Sequence, residues 1–223
     1  MQETKSNWAS VAEQMKNEPP IIFGENVSHC FYREPRKMLN FLSYYKFAAK
    51  LIGVGKKVLD IGCDEGLGTV VIGKECGFAK GIDVNEVAIE AARGNFTSSN
   101  VEFEVQNVLQ KSTQELWDAV ISFGFIENVL LENVSKFFKK ITSSLKEDGL
   151  AVIGTPSLIS QQFVSETSKK GYVNIYSPER LEKEMKEHFE FVFMFAANDE
   201  VVHAGFLPLA EYLIVVGCKK KNK

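Results

Sequence analysis

The sequence lacks any uninterrupted apolar run of about 18 residues, the length that a membrane-spanning helix needs, so we expect no membrane partner. Its first residues lack the apolar core of a signal peptide, which favours a cytoplasmic protein. Basic residues are not in excess: the formal net charge is −3, and no basic face is visible apart from the lysines at 219–223. This balance argues against a nucleic-acid partner.

Cysteine is scarce, with four in a chain of 223 residues. No pair has the C-x-x-C spacing typical of metal sites, and four are too few for a disulfide framework in a chain this long. We therefore predict no metal site and a reducing compartment. What the chain does have is 45% hydrophobic residues, enough for the core of one α/β domain with additional segments.

The most informative stretch is residues 57–68, K-V-L-D-I-G-C-D-E-G-L-G, which predicts a buried strand, a tight turn and the start of a helix. Branched apolar residues before Gly62 suit a strand covered on both faces, and apolar residues after Gly66 recur at helical spacing. Glycines permit unusual backbone angles and let a ligand approach the main chain. This arrangement places a nucleotide-like ligand at the carboxyl edge of a parallel sheet. A strand, turn and helix without a ligand is the alternative.

The glycine pattern does not match the dinucleotide fingerprint G-x-G-x-x-G, because other residues stand at its second and third positions. The pattern present, apolar-apolar-Asp60-apolar-Gly62-x-x-x-Gly66, resembles the first motif of class I S-adenosylmethionine-dependent methyltransferases. The resemblance implies that Asp60 helps to orient the amine of the cofactor S-adenosylmethionine. It also implies that the turn lies under the methionine half of this cofactor, through Gly62, Cys63, Asp64 and Gly66. That family usually has glycine at position 64, but aspartate tolerates unusual backbone angles better than most residues.

The second predicted strand, residues 78–84, ends at Asp83. An acidic side chain at this point accepts hydrogen bonds from two ribose hydroxyls. We therefore expect Asp83 and its neighbour Val84 to bind the nucleoside. NAD-dependent proteins also have an acid here, so Asp83 alone does not select one cofactor. A helix cap is the alternative role, because a helix follows directly.

Polar loop residues follow the next two predicted strands as well. The resemblance implies that Asn107 and Val108 meet the adenine, and Asn107 can accept from its exocyclic amine through the side-chain oxygen. A turn asparagine is the alternative. The loop 123–129 resembles the family's segment that ends in a Glu-His pair beside the transferring methyl group, and Phe123 is assigned to the cofactor site. Glu127 is kept here, whereas glycine and asparagine stand where the family usually has aspartate and histidine.

These segments together predict an α/β fold: a Rossmann-like sheet of seven mostly parallel strands with the last strand antiparallel, helices on both faces and an N-terminal helical cap. We divide the chain into an N-terminal arm or lid, residues 1–32, and an S-adenosylmethionine-binding domain, residues 33–223. Arg36 lies in a polar cluster beside the first packing helix, where it is a candidate to bind a carboxylate of the cofactor or substrate. A solvated helix start is the alternative.

Transfer of a methyl group to a hydroxyl or an ammonium requires a base that removes a proton. His203 is the leading candidate, because histidine changes its charge near neutral pH and Asp199 or Glu200 is placed to orient the ring. A capping or buried structural histidine is the alternative. Glu127 and His29 are the other two candidate bases.

The class I methyltransferase resemblance covers roughly residues 40–218. Short stretches at 33–36, 154–157 and 198–208 are also similar to a bacterial subgroup associated with polysaccharide or sugar modification. The resemblance implies O- or N-methylation of a small-molecule or saccharide acceptor, and a homodimer is the one assembly that we consider. Two alternatives stay open: a non-catalytic S-adenosylmethionine-binding partner subunit, and an NAD-dependent oxidoreductase.

Overall fold

The computed structural model describes residues 2–16, 19–163, 172–205 and 210–221. One sheet of eight strands forms its centre. The strands are β1 Lys56–Ile61, β2 Gly77–Asp83, β3 Val101–Val105, β4 Trp117–Phe123, β5 Leu145–Pro156, β6 Phe189–Asn198, β7 Val201–Ala204 and β8 Tyr212–Lys220. The helices are α1 Gln2–Lys16, α2 Glu25–Arg33, α3 Pro35–Ile52, α4 Leu67–Cys76, α5 Glu86–Asn95, α6 Val134–Ser144 and α7 Pro178–His188. Short 3-10 turns lie at Ile126–Asn128, Leu131–Asn133 and Ile159–Phe163.

The strand order is β3-β2-β1-β4-β5-β8-β6-β7. Strands β1 to β5 pair in parallel, and β8 lies between β5 and β6 and is antiparallel to both. The predicted Rossmann-like sheet, mostly parallel with a reversed last strand, is confirmed. The sheet has one strand more than predicted, because residues 201–204 fold back along β6 as the edge strand β7.

Two hydrophobic layers cover the sheet. On one face, α3 and α4 pack against alternate residues of the central strands, such as Val58 and Ile121, and α5 packs beside them against β3. On the other face, α6 and α7 cover the intervening residues, such as Leu59 and Val120. This alternation follows from the two-residue period of a strand. It buries the last four residues of β1 completely and fixes where the following turn begins.

Helix α2 precedes the packing helix that the sequence analysis places beside Arg36. The structure has two helices, and Glu34 between them has φ −143° and ψ 70°, outside the helical region. The residue before a proline is disfavoured in the helical conformation, so Pro35 ends α2 and begins α3. The polar cluster at residues 29–36 is therefore spread over the end of α2 and the first turn of α3.

Two stretches that follow strands of the sheet are described only in part. After β5, Ser157 forms a β-bridge with Tyr176, and residues 164–171 lie outside the described residues. In the stretch 198–208, residues 206–208 also lie outside them. Among the described residues, no helix combines the length and the apolar character that crossing a membrane requires.

Candidate active site

The turn after β1 has backbone angles that favour glycine. The φ angle is +78° at Gly62 and +79° at Gly66, and Asp64 between them has φ 49°. Neither glycine has space for a side chain: a Cβ added at Gly62 would lie 2.7 Å from Cδ2 of Phe125, and one at Gly66 would lie 2.5 Å from Cε1 of Phe103. Asp64 is the non-glycine residue of this turn that has a positive φ, and aspartate is among the residues that tolerate this left-handed conformation.

Asp83 connects the end of β2 to this turn. Its Oδ2 accepts a hydrogen bond from the main-chain N–H of Asp64 at 3.1 Å, and its Oδ1 accepts one from the N–H of Asn85 at 2.9 Å. The helix cap is Asn85 itself, whose side chain accepts from the N–H of Ala88, so the capping role considered for Asp83 belongs to its neighbour. A carboxylate oxygen has about two acceptor sites, so each oxygen of this half-buried group can accept one further donor.

Val84 and Asn107 lie beside Asp83, where the two neighbouring strands end. The Val84 side chain is 58% exposed and offers an apolar surface at the sheet edge. The Oδ1 atom of Asn107 accepts from the N–H of Leu109 at 2.9 Å, so the turn role foreseen for this asparagine is present. The Asn107 amide group remains as a donor. Val108 is buried in the core.

Cys63 and Phe123 are also buried. The Cys63 side chain packs with α5 and β3, and Phe123 lies under α3, where its ring centroid is 4.9 Å from that of Tyr45. Both side chains therefore contribute to packing. A ligand at the sheet edge would contact only the main chain of these two residues.

Asp60 lies beneath the turn rather than at its surface. Its side chain is fully buried on the α3 face, where Oδ1 accepts from the hydroxyl of Tyr45 at 3.2 Å and Oδ2 from the hydroxyl of Thr69 at 2.6 Å. Burial raises the pKa of Asp60 to about 7, although both hydrogen bonds act to lower it. These contacts join β1 to α3 and α4, and they point to a structural role rather than to direct contact with a ligand.

Glu65, inside the turn, holds the N-terminus of α2. Its carboxylate is 4% exposed and accepts hydrogen bonds from the main-chain N–H groups of Gly24 at 2.7 Å, Asn26 at 2.8 Å and Val27 at 3.2 Å. The neighbouring Asp64 accepts from Nδ2 of Asn26 at 2.8 Å. The first N–H groups of a helix have no partner within it, and here a carboxylate about forty residues later in the chain supplies one. Both acids of the turn therefore fasten α2 to the sheet edge.

Glu127 follows β4 and is buried next to the turn. Its side chain is 2% exposed, and Oε2 accepts from the hydroxyl of Thr155 at 3.1 Å. Its main-chain carbonyl accepts from the N–H groups of Val173 and Asn174, both at 3.0 Å, which fixes that segment over the 3-10 turn. Burial raises the pKa of Glu127 to about 7. A buried carboxyl that titrates near neutral pH has the properties of a general base.

Two tyrosines, Tyr172 and Tyr212, lie near this carboxyl, and a third stacks on one of them. Tyr44 of α3 stacks on Tyr212 of β8, with ring centroids 4.4 Å apart. A Cβ added at Gly154 would lie 2.6 Å from Cε1 of Tyr212, so the glycine on β5 is what admits this ring. Burial raises the pKa of Tyr172 and of Tyr212, and the negative charge of Glu127 acts in the same direction on both.

The structure does not bring the two candidate histidines or Arg36 to this cluster by any contact within the described residues. His203 is exposed on the edge strand β7, opposite Ala196, and no hydrogen bond joins it to Asp199 or Glu200 in the described part of the chain. His29 is exposed on α2, and Arg36 is exposed in the first turn of α3.

A separate groove of about 340 Å³ lies beside α5 and β3, and none of the turn residues lines it. Its cationic side chains are already engaged. Lys80 pairs with Glu104 at 2.7 Å, and Arg93 donates to the carbonyl of Phe103. The cations of this groove thus have partners within the protein, and the turn residues do not contribute to it, so the sheet edge remains the candidate site.

The comparison with known proteins agrees with this fold. A family model described as "Methyltransferase domain" matches residues 52–200, and the chain belongs to this family. A putative methyltransferase of Geobacillus sp. (strain WCH70) is 34% identical over 106 residues, which are 46% of this chain and 43% of that protein. The ubiquinone biosynthesis O-methyltransferase of Rickettsia canadensis is 28% identical over 127 residues, 55% of this chain and 50% of that protein.

A third relative, the ribosomal protein L11 methyltransferase of Dictyoglomus turgidum, is 33% identical over 106 residues, 47% of this chain and 34% of that protein. The chain thus spans a third to a half of the length of these curated relatives. The methyltransferase family is common to all three, whereas the names of the last two give different acceptors.

Solved structures match over most of their length. The N-methyltransferase NodS of Bradyrhizobium japonicum WM9, in complex with S-adenosyl-L-homocysteine, has a TM-score of 0.60 at 20% identity over 85% of this chain and 87% of that one. A TehB-like S-adenosylmethionine-dependent methyltransferase of Corynebacterium glutamicum has a TM-score of 0.65 at 20% identity over 87% of this chain and 100% of that one. At this identity the likeness shows the fold.

Proposed function

We propose that the chain is an S-adenosylmethionine-dependent methyltransferase that acts on a small-molecule or sugar-like acceptor. The observation that carries the proposal is the pairing of Asp83 with the turn. Its carboxylate is anchored by two main-chain N–H groups, and both of its oxygens can still accept from a hydroxyl pair. Membership of the methyltransferase family supports the same ligand.

The residues at the sheet edge fit this cofactor. The ribose hydroxyls would bind Asp83, the adenine would lie on Val84 with the amide of Asn107 as a donor, and the methionine half would cross the main chain at Gly62. Phe125 occupies the side toward which a Cβ at Gly62 would point, so the methionine half would cross the opposite side of this main chain. The main chain of Cys63, Val108 and Phe123 borders the same edge.

Bound S-adenosylmethionine would supply an electrophilic methyl group. The protein's part is to position an acceptor in line with that group and to remove a proton when the acceptor carries one. Of the three candidate bases, Glu127 is the one that is buried at the sheet edge beside the turn, so we assign the role to Glu127. His203 and His29 are exposed and lie outside this cluster.

The N-terminal residues 1–32 would act as a cover over the site. One fact supports this role: the N-terminus of α2 is fastened to the cofactor turn through Glu65. The α1 side chains from residue 8 to residue 16 are all exposed. A homodimer, a cytoplasmic location and a saccharide acceptor stay predictions of the sequence analysis.

Calorimetric titration tests the proposal. S-adenosylmethionine and S-adenosylhomocysteine should bind, NAD should not, and Asp83→Asn should weaken cofactor binding about tenfold or more because a charged acceptor is lost. Asp118→Asn is the matched control, since Asp118 also accepts from a main-chain N–H, that of Lys57, but at the opposite end of the sheet. Absence of cofactor binding would refute the proposal, and binding of NAD alone would indicate an oxidoreductase.

A further inference from the structure

Glu127 is a buried carboxyl for which the described part of the chain provides no cation. Its side chain is 2% exposed, and none of the described lysines, arginines or histidines forms an ion pair with it. The hydroxyl of Thr155 is a neutral donor to one of its oxygens. A buried carboxyl is stabilised either by a cation or by holding its proton. Among the described residues Glu127 has no cation, so this carboxyl can both accept a proton and pair with a cationic ligand.

Aromatic rings complete the surroundings of this carboxyl. Tyr172 directly precedes Val173, whose N–H donates to the main-chain carbonyl of Glu127. Tyr212 pairs with Pro156, next to the Thr155 that donates to the Glu127 carboxylate, and Tyr44 stacks on Tyr212 at 4.4 Å. The faces of aromatic rings attract ammonium groups, most strongly where water is excluded. A carboxylate beside several tyrosines is thus a favourable environment for an organic ammonium ion.

The position of Glu127 relative to the turn is suitable for a group that takes part in the reaction. Asp83 lies on the β2 side of Gly62, and Glu127 follows β4, which pairs with β1 on its other side. Phe125, two residues before Glu127, is placed so that a Cβ added at Gly62 would lie 2.7 Å from its Cδ2. A nucleoside on the Asp83 side would therefore present its methyl group toward the Glu127 side.

We propose that Glu127, with Tyr44, Tyr172 and Tyr212, forms the acceptor subsite and binds a protonated primary or secondary amine, which makes the reaction an N-methylation. This inference rests on the proposed function. An ammonium nitrogen gives one proton to a Glu127 oxygen. The freed nitrogen lone pair then forms the N–C bond as the C–S bond breaks, and that bond's electron pair stays on sulfur, which becomes a neutral thioether. The proton leaves Glu127 for solvent.

Binding of a simple ammonium ion tests the subsite. Benzylammonium and the neutral benzyl alcohol are titrated into the protein, with and without S-adenosylhomocysteine, and followed by NMR or calorimetry. We expect benzylammonium to bind about tenfold or more tightly than benzyl alcohol, and Glu127→Gln to abolish that preference. Glu211→Gln removes an exposed carboxylate directly before β8 whose charge acts on Tyr44, and it should reduce the preference far less than Glu127→Gln does.

Each outcome decides the question. Equal binding of the two probes, no binding of either, or a preference that persists in Glu127→Gln would overturn the amine subsite. A preference that is lost equally in Glu211→Gln would assign it to the general charge of the sheet edge and would also overturn it. Failure of S-adenosylhomocysteine to bind would refute the proposed function separately, because the probes are also titrated without it.

Discussion

At the scale of single residues, two helical glycines have opposite surroundings. A Cβ added at Gly68 would lie 2.2 to 2.4 Å from the ring of the fully buried Tyr45, whereas one added at Gly94 meets nothing within 4 Å. Gly68→Ala should therefore destabilise the protein by about 1–3 kcal/mol or more through overpacking. Gly94→Ala should stabilise it by about 0.5–1 kcal/mol, because alanine favours the helix. Urea unfolding of both variants measures the difference.

The two alanine substitutions thus serve as controls for each other. Equal effects of the two alanines on the urea midpoint would mean that α4 moves away from α3 to admit the methyl group. The position of α4 on Tyr45 would then not be rigid. The hydroxyl of Tyr45 also donates to Asp60, so such a movement would alter the environment of that carboxyl as well.

Residues close together in the chain were the ones that the sequence could predict. The turn at Gly62 and the acid at Asp83 each lie at the end of an apolar strand, so the local sequence pattern predicts their positions. The structural role of Asp60 could not be predicted in this way, because its hydrogen-bond partner Tyr45 lies on a different element, the helix α3. Tyr212 was also missed, although its place at the start of a reversed strand puts it at the same edge as the turn.

At the scale of secondary-structure elements, α2 depends on one distant carboxylate. Glu65→Ala leaves three main-chain N–H groups without their acceptor, and each hydrogen bond to a charged group contributes about 1.5–3 kcal/mol. We expect the amides of residues 24–33 to exchange hydrogen about tenfold or more faster, while those of β1 and β4 keep their protection. Hydrogen exchange followed by mass spectrometry measures this change.

Asn26→Ala is the matched variant, since it removes only the bond to Asp64 and should produce a smaller increase in exchange. Unchanged exchange in Glu65→Ala would show that packing of Val27 alone holds the helix. The local sequence could not predict this element's anchor, because the capping group is separated from it by all of α3 and β1. The break at Pro35 was predictable in principle, since it is a property of the residue pair.

At the scale of the whole molecule, two buried carboxyls connect stability to pH. Burial raises the pKa of Asp60 from 3.8 and that of Glu127 from 4.5, both to about 7. The folded state therefore keeps these protons after the unfolded chain has released its own. The resulting stability is fully present below about pH 4 and is lost as pH rises toward 7.

We predict that Asp60→Asn and Glu127→Gln each remove part of this decrease in the free energy of unfolding between pH 4 and pH 7. One pKa unit corresponds to about 1.4 kcal/mol, so the stability difference between wild type and Asp60→Asn should change by roughly 4 kcal/mol between pH 4 and 8. Chemical unfolding at several pH values measures it, with wild type minus variant cancelling the other titrating groups. A difference that is constant with pH would mean that water reaches Asp60.

The sequence predicts the general topology of the sheet, but it does not predict the edge strand β7. The hydrophobic pattern of each strand and the resemblance to a known family together predicted a parallel sheet with a reversed end. Residues 201–204 have only partly buried or exposed side chains, so their pattern carried no strong strand signal. Their pairing with β6 comes from the hairpin geometry at residues 199 and 200 rather than from burial.

The place of β8 has a consequence for synthesis on the ribosome. Strands β5, β6 and β7 emerge first, yet β5 and β6 are joined only through β8, which emerges after them. A nascent chain halted before residue 212 would present two unpaired strand edges, which are surfaces that chaperones and aggregating chains bind. The order of translation therefore makes the middle of this sheet the last part to close.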